Sequence, residues 1–338
     1  MLENSTAEGS NNTDAELGNV EQVLVPVLDV LILVLGVGGH SLVMVILCGR
    51  RRRGVGHGRQ STPSSTTGTG TDILLLALSA ADLLLLAMLP FHTAAVAMQH
   101  WPFGDLLCRL VSFLGATCAS ASAFTLASLA MSRYLIVVRP NKAYQLLSPR
   151  RVTLTAVLLW ALACCLAAPQ LAFRSVGILR RAPDDSACFA FLPHQDQVAY
   201  GLCHFLLAFL LPLAIIVVAY GSIYMFLWRS QQQGRAPQVE RYQSKVTHTL
   251  AMQVLAFTLC WLPSYGLTLA LLVSRSSGAT GTSPRYGPFS VLARVMATSS
   301  TVANPILYVL MSQKFREDLL ELFKMANGTR GAISMNTN

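Results

Sequence analysis

Charge is what this chain has least of. Asp, Glu, Lys and Arg make up 12% of its 338 residues, against 53% hydrophobic. A soluble domain carries about twice that charge. The first 22 residues hold no Lys or Arg but five acids: Glu3, Glu8, Asp14, Glu16 and Glu21. That is the reverse of the basic start of a cleavable signal peptide, so the first apolar stretch is expected to be its own signal anchor. Catalytic signatures are missing as well. There is no His-Glu-x-x-His, no Gly-x-Ser-x-Gly and no phosphate-binding loop, which removes the readings as metalloprotease, esterase or nucleotide hydrolase. No enzyme is expected. Two similar halves, the mark of many transporters, are absent too, and a membrane transporter or channel is left as the second class.

Long apolar stretches fill the chain instead. Seven lie at about 23–48, 73–98, 106–138, 152–171, 199–228, 246–273 and 287–311, here called spans one to seven. Each reaches the roughly 20 residues that a membrane-crossing helix needs. Lipid offers no partner to backbone N–H and C=O groups, so the spans must be helices. The expected fold is an all-α membrane protein, a seven-transmembrane helix bundle with a short amphipathic eighth helix. Of the 25 Lys and Arg, 18 fall on one set of alternating connections, their flanks and the C-terminus. Positive charge stays cytoplasmic, so the N-terminus is expected outside the plasma membrane and the C-terminus inside. The net charge of +9 then reports topology. A nucleic-acid partner has no soluble basic domain to bind.

The domains follow. Residues 1–22 read as an extracellular tail with glycosylation sequons at Asn4 and Asn11. Residues 23–311 form the bundle. Within it, 50–72 is expected to be a flexible inner loop, because 54–71 is rich in Gly, Ser and Thr. Residues 312–325 read as a surface helix. Its Phe315, Leu319, Leu322 and Phe323 make one apolar stripe. Residues 326–338 are a short cytoplasmic tail.

Polar residues inside the spans point to the working part. Asp29 and His40 interrupt span one, Asp82 span two and Asn304 span seven. A carboxylate at mid-membrane costs about 2.5–3.5 kcal/mol even on a lenient scale, so these groups must face a wet interior or each other. Pro212, Pro263 and Pro305 each remove a helix hydrogen bond and leave spans five, six and seven with a soft point. Trp261 lies two residues before Pro263, and Phe257 one turn deeper. Both can turn ligand packing above into rotation below, or be plain filler. Of eight cysteines, six lie in or at the ends of spans as small buried apolar residues. Only Cys108 and Cys188 fall on the oxidising side. A bridge between them would pin the second outer loop across the bundle mouth.

Several short motifs stand in register across the spans. They are Leu78-Ser79-Ala80-Ala81-Asp82, Trp101-Pro102-Phe103-Gly104, Ser132-Arg133-Tyr134 with Arg139-Pro140, and Trp160. Pro212 with Tyr220, Cys260-Trp261-Leu262-Pro263, and Asn304-Pro305-Ile306-Leu307-Tyr308 complete the set. Together they resemble a rhodopsin-like (class A) G-protein-coupled receptor over about residues 20–325. The resemblance implies coupling to heterotrimeric G proteins and arrestin through Arg133, Tyr134, Tyr220, Phe257, Pro263, Asn304, Pro305 and Tyr308, with span six swinging outward. It implies no cofactor beyond a possible allosteric sodium ion at Asp82, Ser122, Ser300, Thr301 and Asn304, or else a water-bridged network there.

Two positions depart from the pattern. The family usually has an acid before the Arg of span three, and here stands Ser132; a second restraining acid is replaced by Gln243. Raised basal signalling is expected, with a poorly coupled or decoy receptor as the other outcome. His40 stands where relatives have Asn. It reads as a satisfied core histidine or a pH sensor.

Ligand class is narrowed by what the cavity lacks. No carboxylate lies near Gly115, Ala116 and Thr117, where amine receptors carry an Asp, and span seven has Thr298 where opsins carry a Lys. The candidate lining is Asp29, His92, Thr117, His204, Trp261, Tyr265 and Arg294. Arg294 must pair with Asp29 or with a ligand oxygen. With Arg180, Arg181, Asp184 and Asp185 in the second outer loop, this suits a peptide. The Ser65-Thr66-Thr67 tract, the span-two motif and Phe315-Arg316 are similar to the galanin, allatostatin and kisspeptin group of peptide receptors. An orphan receptor of the same fold is the alternative.

Overall fold

The computed structural model describes residues 2–56, 63–98, 100–178, 186–190, 194–232, 237–276, 288–311, 315–321 and 324. Span one lies in α1 (Leu2–Gly56), span two in α2 (Pro63–Met98) and span three in α3 (Gly104–Val138). A short α4 (Pro140–Leu146) precedes span four, which is α5 (Pro149–Ala167) continued by α6 (Pro169–Phe173). The hairpin of β1 (Arg174–Ile178) and β2 (Ser186–Ala190) follows. Span five joins α7 (His194–Phe205) to α8 (Leu211–Gln232). Spans six and seven are α9 (Pro237–Ser276) and α10 (Pro288–Met311). The 40 residues of α9 and the 24 of α10 are long enough to cross.

The helices close into a ring. Span one packs on two, two on three, three on five, five on six, six on seven, and seven back on one. Span three runs through the middle, against two, four, five and six. Its composition suits that place. Ala119, Ser120, Ala121, Ser122 and Ala123 are all buried, and small residues let helix backbones approach closely where lipid gives no hydrophobic drive. Leucines and valines of spans one, four and five that stand exposed, such as Val34, Leu158 and Val218, form the outer, lipid-side surface expected of such a bundle.

Two glycines fix where span one meets its neighbours. A Cβ on Gly36 would lie 2.6 Å from Leu86, and one on Gly39 2.7 Å from Pro305. Span one therefore touches span seven one residue past Asn304.

Two expectations are revised. The inner loop 50–72 is mostly helix: α1 runs to Gly56 and α2 starts at Pro63, leaving 57–62 outside the described residues. Proline at a helix start loses nothing, since that N–H has no helical partner, and the Arg run contains no breaker. The segment before residue 22, for which no local structure was expected either way, continues α1 back to Leu2. In span five the bend is not a kink at Pro212 but a π-turn over Leu206–Leu210. Its last bond runs from Leu211 N–H to the Leu206 carbonyl. Pro212 has no N–H and crowds the carbonyl four residues back, and a widened turn relieves both.

The eighth helix is present over 315–321. Phe315 is buried against Val43, Ile46 and Leu47 of span one, with Leu319 beside it. Leu322 and Phe323 of the predicted stripe lie outside the described residues, as do Arg180, Arg181, Asp184 and Asp185. The side chains of Asn4, Asn11, Gln243 and Tyr308 do too.

Candidate functional site

One end of the bundle is roofed by the hairpin. Cys108 at the start of span three is bonded to Cys188 in β2. Asp105, one turn earlier, accepts from Ser175 Oγ at 2.6 Å and from the Val176 N–H at 3.0 Å. Arg109 donates to Asp105 at 2.7 Å and to the Leu171 carbonyl at 2.8 Å. Trp101 N–H donates to Ser186 O at 2.7 Å, and its ring packs edge-on against Phe103. The roof is thus held by one covalent bond and by hydrogen bonds around Asp105. Sequence reading missed Asp105 and Arg109. Their spacing of four residues at a helix start was visible, but the loop partner lies 70 residues away.

Beneath the roof lie two clusters. In the first, Asp29 is 1% exposed and accepts from Thr93 Oγ1 at 2.7 Å. Arg294 Nη2 approaches its Oδ2 at 3.7 Å, too far for a hydrogen bond. Asp29 Oδ1 and Arg294 Nη2 have no hydrogen-bond partner among the described residues. The predicted Asp29–Arg294 pair exists, then, but leaves one acceptor and one donor free. Thr93 was not foreseen.

The second cluster is a column of rings. His204 stacks on Tyr265 at 6.2 Å, and its Nε2 sits 3.3 Å from Ser120 Oγ. Tyr265 meets Phe209 at 4.6 Å and Trp261 at 6.2 Å, and Trp261 meets Phe257 at 5.9 Å. Trp261 Nε1 donates to Ser300 Oγ at 3.1 Å. Trp261 is therefore not lipid-facing filler. It ties span six to span seven two residues from Pro263. His92 lies within electrostatic reach of Arg294, on the side of the first cluster, with its ring 6.4 Å from Trp101. Thr117 is buried with its hydroxyl unpartnered among the described residues, so a ligand would have to reach deep to touch it.

At mid-membrane Asp82 gathers donors from three helices. Asn304 Nδ2 donates to Oδ2 at 2.5 Å, Ser122 Oγ to Oδ1 at 3.2 Å, and His40 Nε2 lies 3.3 Å from Oδ2. The same His40 Nε2 is 2.7 Å from the Thr301 carbonyl. A carbonyl only accepts, so Nε2 carries the proton. Ser300 and Thr301 direct their hydroxyl protons to Ala297 and Thr298 carbonyls at 2.7 and 2.8 Å. Of the five residues expected around a cation, Asp82, Ser122 and Asn304 meet directly, and two nitrogens crowd one carboxylate oxygen.

The chain matches the family described as 7 transmembrane receptor (rhodopsin family) over residues 62–308. It belongs to that family. Among curated relatives, Galanin receptor type 2 of Rattus norvegicus is 29% identical over 322 residues, covering 94% of this chain and 81% of that protein. Galanin receptor type 3 of Mus musculus is 30% identical over 305 residues, covering 88% and 78%. Galanin receptor type 1 of Homo sapiens is 28% identical over 307 residues, covering 90% and 83%. The chain is a class A receptor near the galanin receptors, a multi-pass membrane protein of a receptor family with no enzymatic role.

At the receptor's other end, span three closes with Ser132, Arg133 and Tyr134. Ser132 is buried and gives its proton to the Ser128 carbonyl at 2.8 Å, so this position offers no charge to Arg133. Tyr220 of span five has a buried hydroxyl without a hydrogen-bond partner among the described residues. Arg50 is ion-paired with Asp318 and lies 3.8 Å from Asp72. It joins spans one and two to the eighth helix, a clamp across 268 residues that no local pattern announces.

Proposed function

We propose that this receptor responds to an extracellular peptide of the kind its galanin-receptor relatives are named for, and passes the signal to heterotrimeric G proteins. The N-terminus and the hairpin face outward, Arg133 and the eighth helix inward. A bound peptide presses on the ring column, Trp261 shifts against Ser300, and span six pivots at Pro263 so that its inner end swings away from Arg133. Arrestin then meets the same inner surface. The carrying observation is the unbroken column His204, Tyr265, Trp261, Phe257, which links the cavity to the Pro263 bend. Screening a peptide library with a promiscuous G-protein readout tests the proposal. A chain that reaches the cell surface yet answers none of the peptides, while moving a solute across the membrane, would be a transporter instead.

Arg294 and Asp29 face the ligand in this reading, since each keeps a free polar atom. A charge-assisted hydrogen bond contributes about 1.5–3 kcal/mol. Arg294→Ala should therefore weaken peptide potency by about tenfold or more. Unchanged potency in a concentration–response assay removes Arg294 from the site.

Basal signalling should also be raised, because Ser132, which hydrogen-bonds backward to Ser128, puts a neutral hydroxyl where the family usually has an acid beside the Arg. An acid there, in a partly sheltered place, adds about 1 kcal/mol to the resting state. Ser132→Asp should thus lower the active fraction by about fivefold, read as basal second messenger at equal surface expression. An undiminished basal signal refutes the restraint idea and favours a poorly coupled or decoy receptor.

A further inference from the structure

We propose that His40 takes the place of a cation in this receptor, closing the Asp82 network from within so that its resting fold does not depend on sodium. Four observations carry this. First, the close approach at Gly39, where a Cβ would meet Pro305 at 2.7 Å, brings span one against span seven and sets the next side chain, His40, between them with 0% exposure. Second, the His40 Nε2–H goes to Thr301 O at 2.7 Å, and the same nitrogen stands 3.3 Å from Asp82 Oδ2. Third, Asn304 turns its amide N–H₂, not its carbonyl, toward that same Oδ2 at 2.5 Å. Two protonated nitrogens thus take up the space beside Oδ2 where a cation would sit. Fourth, Ser300 Oγ, one of the oxygens a cation would need, already accepts from Trp261 Nε1 at 3.1 Å.

Hard cations bind through convergent oxygen lone pairs. Admitting one at Oδ2 would require the His40 ring to move off that oxygen and Asn304 to turn its amide oxygen inward. His40 is thereby a positioning residue. Anchored to the Thr301 carbonyl of span seven, its ring fills the place beside Asp82 that an ion would otherwise take. An Asn at this position is shorter and would leave room beside Oδ2.

The test uses the full-length receptor in lipid nanodiscs and needs no agonist. Thermal unfolding is followed in sodium chloride and in choline chloride at equal ionic strength, for wild type, His40→Asn, Asp82→Asn and the double variant. Wild type should melt at the same temperature in both salts. His40→Asn should gain a sodium-dependent rise of several degrees, lost again when Asp82→Asn is added. A wild-type rise in sodium that Asp82→Asn abolishes overturns the proposal, and this comparison stands even if the His40 variants do not fold. A His40→Asn receptor that folds and ignores sodium overturns it too, because His40 would then not be what keeps the cation out. Sodium-23 line broadening by His40→Asn, but not by wild type, should parallel the melting result.

Discussion

Asp82→Ala is expected to destabilise the receptor by about 3 kcal/mol, since it removes the acceptor of the buried Asn304 amide and Ser122 hydroxyl, while His40 keeps the Thr301 carbonyl. Each orphaned buried donor costs about 1–3 kcal/mol. Ser122 recovers part by turning its hydroxyl elsewhere, whereas the amide is fixed by its helix. Asp82→Asn should cost far less. Its amide oxygen can face His40 and Asn304, while its N–H₂ donates to a Ser122 hydroxyl that reverses its role. The measurement is thermal unfolding of the two variants side by side. Equal losses for Ala and Asn would mean that charge, not donor satisfaction, is what the network supplies.

Cys108→Ser should be the other severe change. The bridge closes a loop of 80 residues, and cross-linking a loop of that length restricts the unfolded chain by about 4 kcal/mol. In the folded receptor its loss also loosens the roof. The Asp105 bonds to Ser175 and Val176 and the Trp101–Ser186 bond remain, but all are exposed or near the surface, where water competes and each is worth about 1 kcal/mol. Surface expression should fall, and the hairpin of the molecules that do arrive should be cut by protease faster than in wild type. Adding Asp105→Ala should worsen both. Normal expression with a protease-resistant hairpin in Cys108→Ser would mean that the Asp105 latch alone holds the roof.

What the sequence disclosed follows from the solvent. Lipid makes a buried Asp or Asn costly, so Asp82 and Asn304 announced an interior and in fact bond to each other. By the same logic Arg294 called for either Asp29 or a ligand oxygen, and Asp29 stands 3.7 Å away. The bridge of Cys108 to Cys188 was legible because only two cysteines were expected on the oxidising side. Contacts governed by distant geometry were not legible. Thr93, Asp105 and Arg50 are ordinary residues by type, and their partners lie 64 to 268 residues away. The composition of 50–72 suggested a loop, yet the first and second helices extend into it from both sides. Local Gly and Ser content is a weak predictor where a long helix is already nucleated.

The widened turn at Leu206–Leu210 has a bearing on the far half of span five. A π-turn takes up one more residue than an α-turn, and each residue of an α-helix advances by about 100°. Every side chain from Leu211 onward is therefore rotated by that amount relative to an unbroken helix. The face bearing Ile216, Ala219 and Ile223, which is buried, looks into the bundle only because of this offset, and the Tyr220 hydroxyl shares that orientation. Shortening the turn by one residue would aim a different set of side chains at Arg133 without altering any of them.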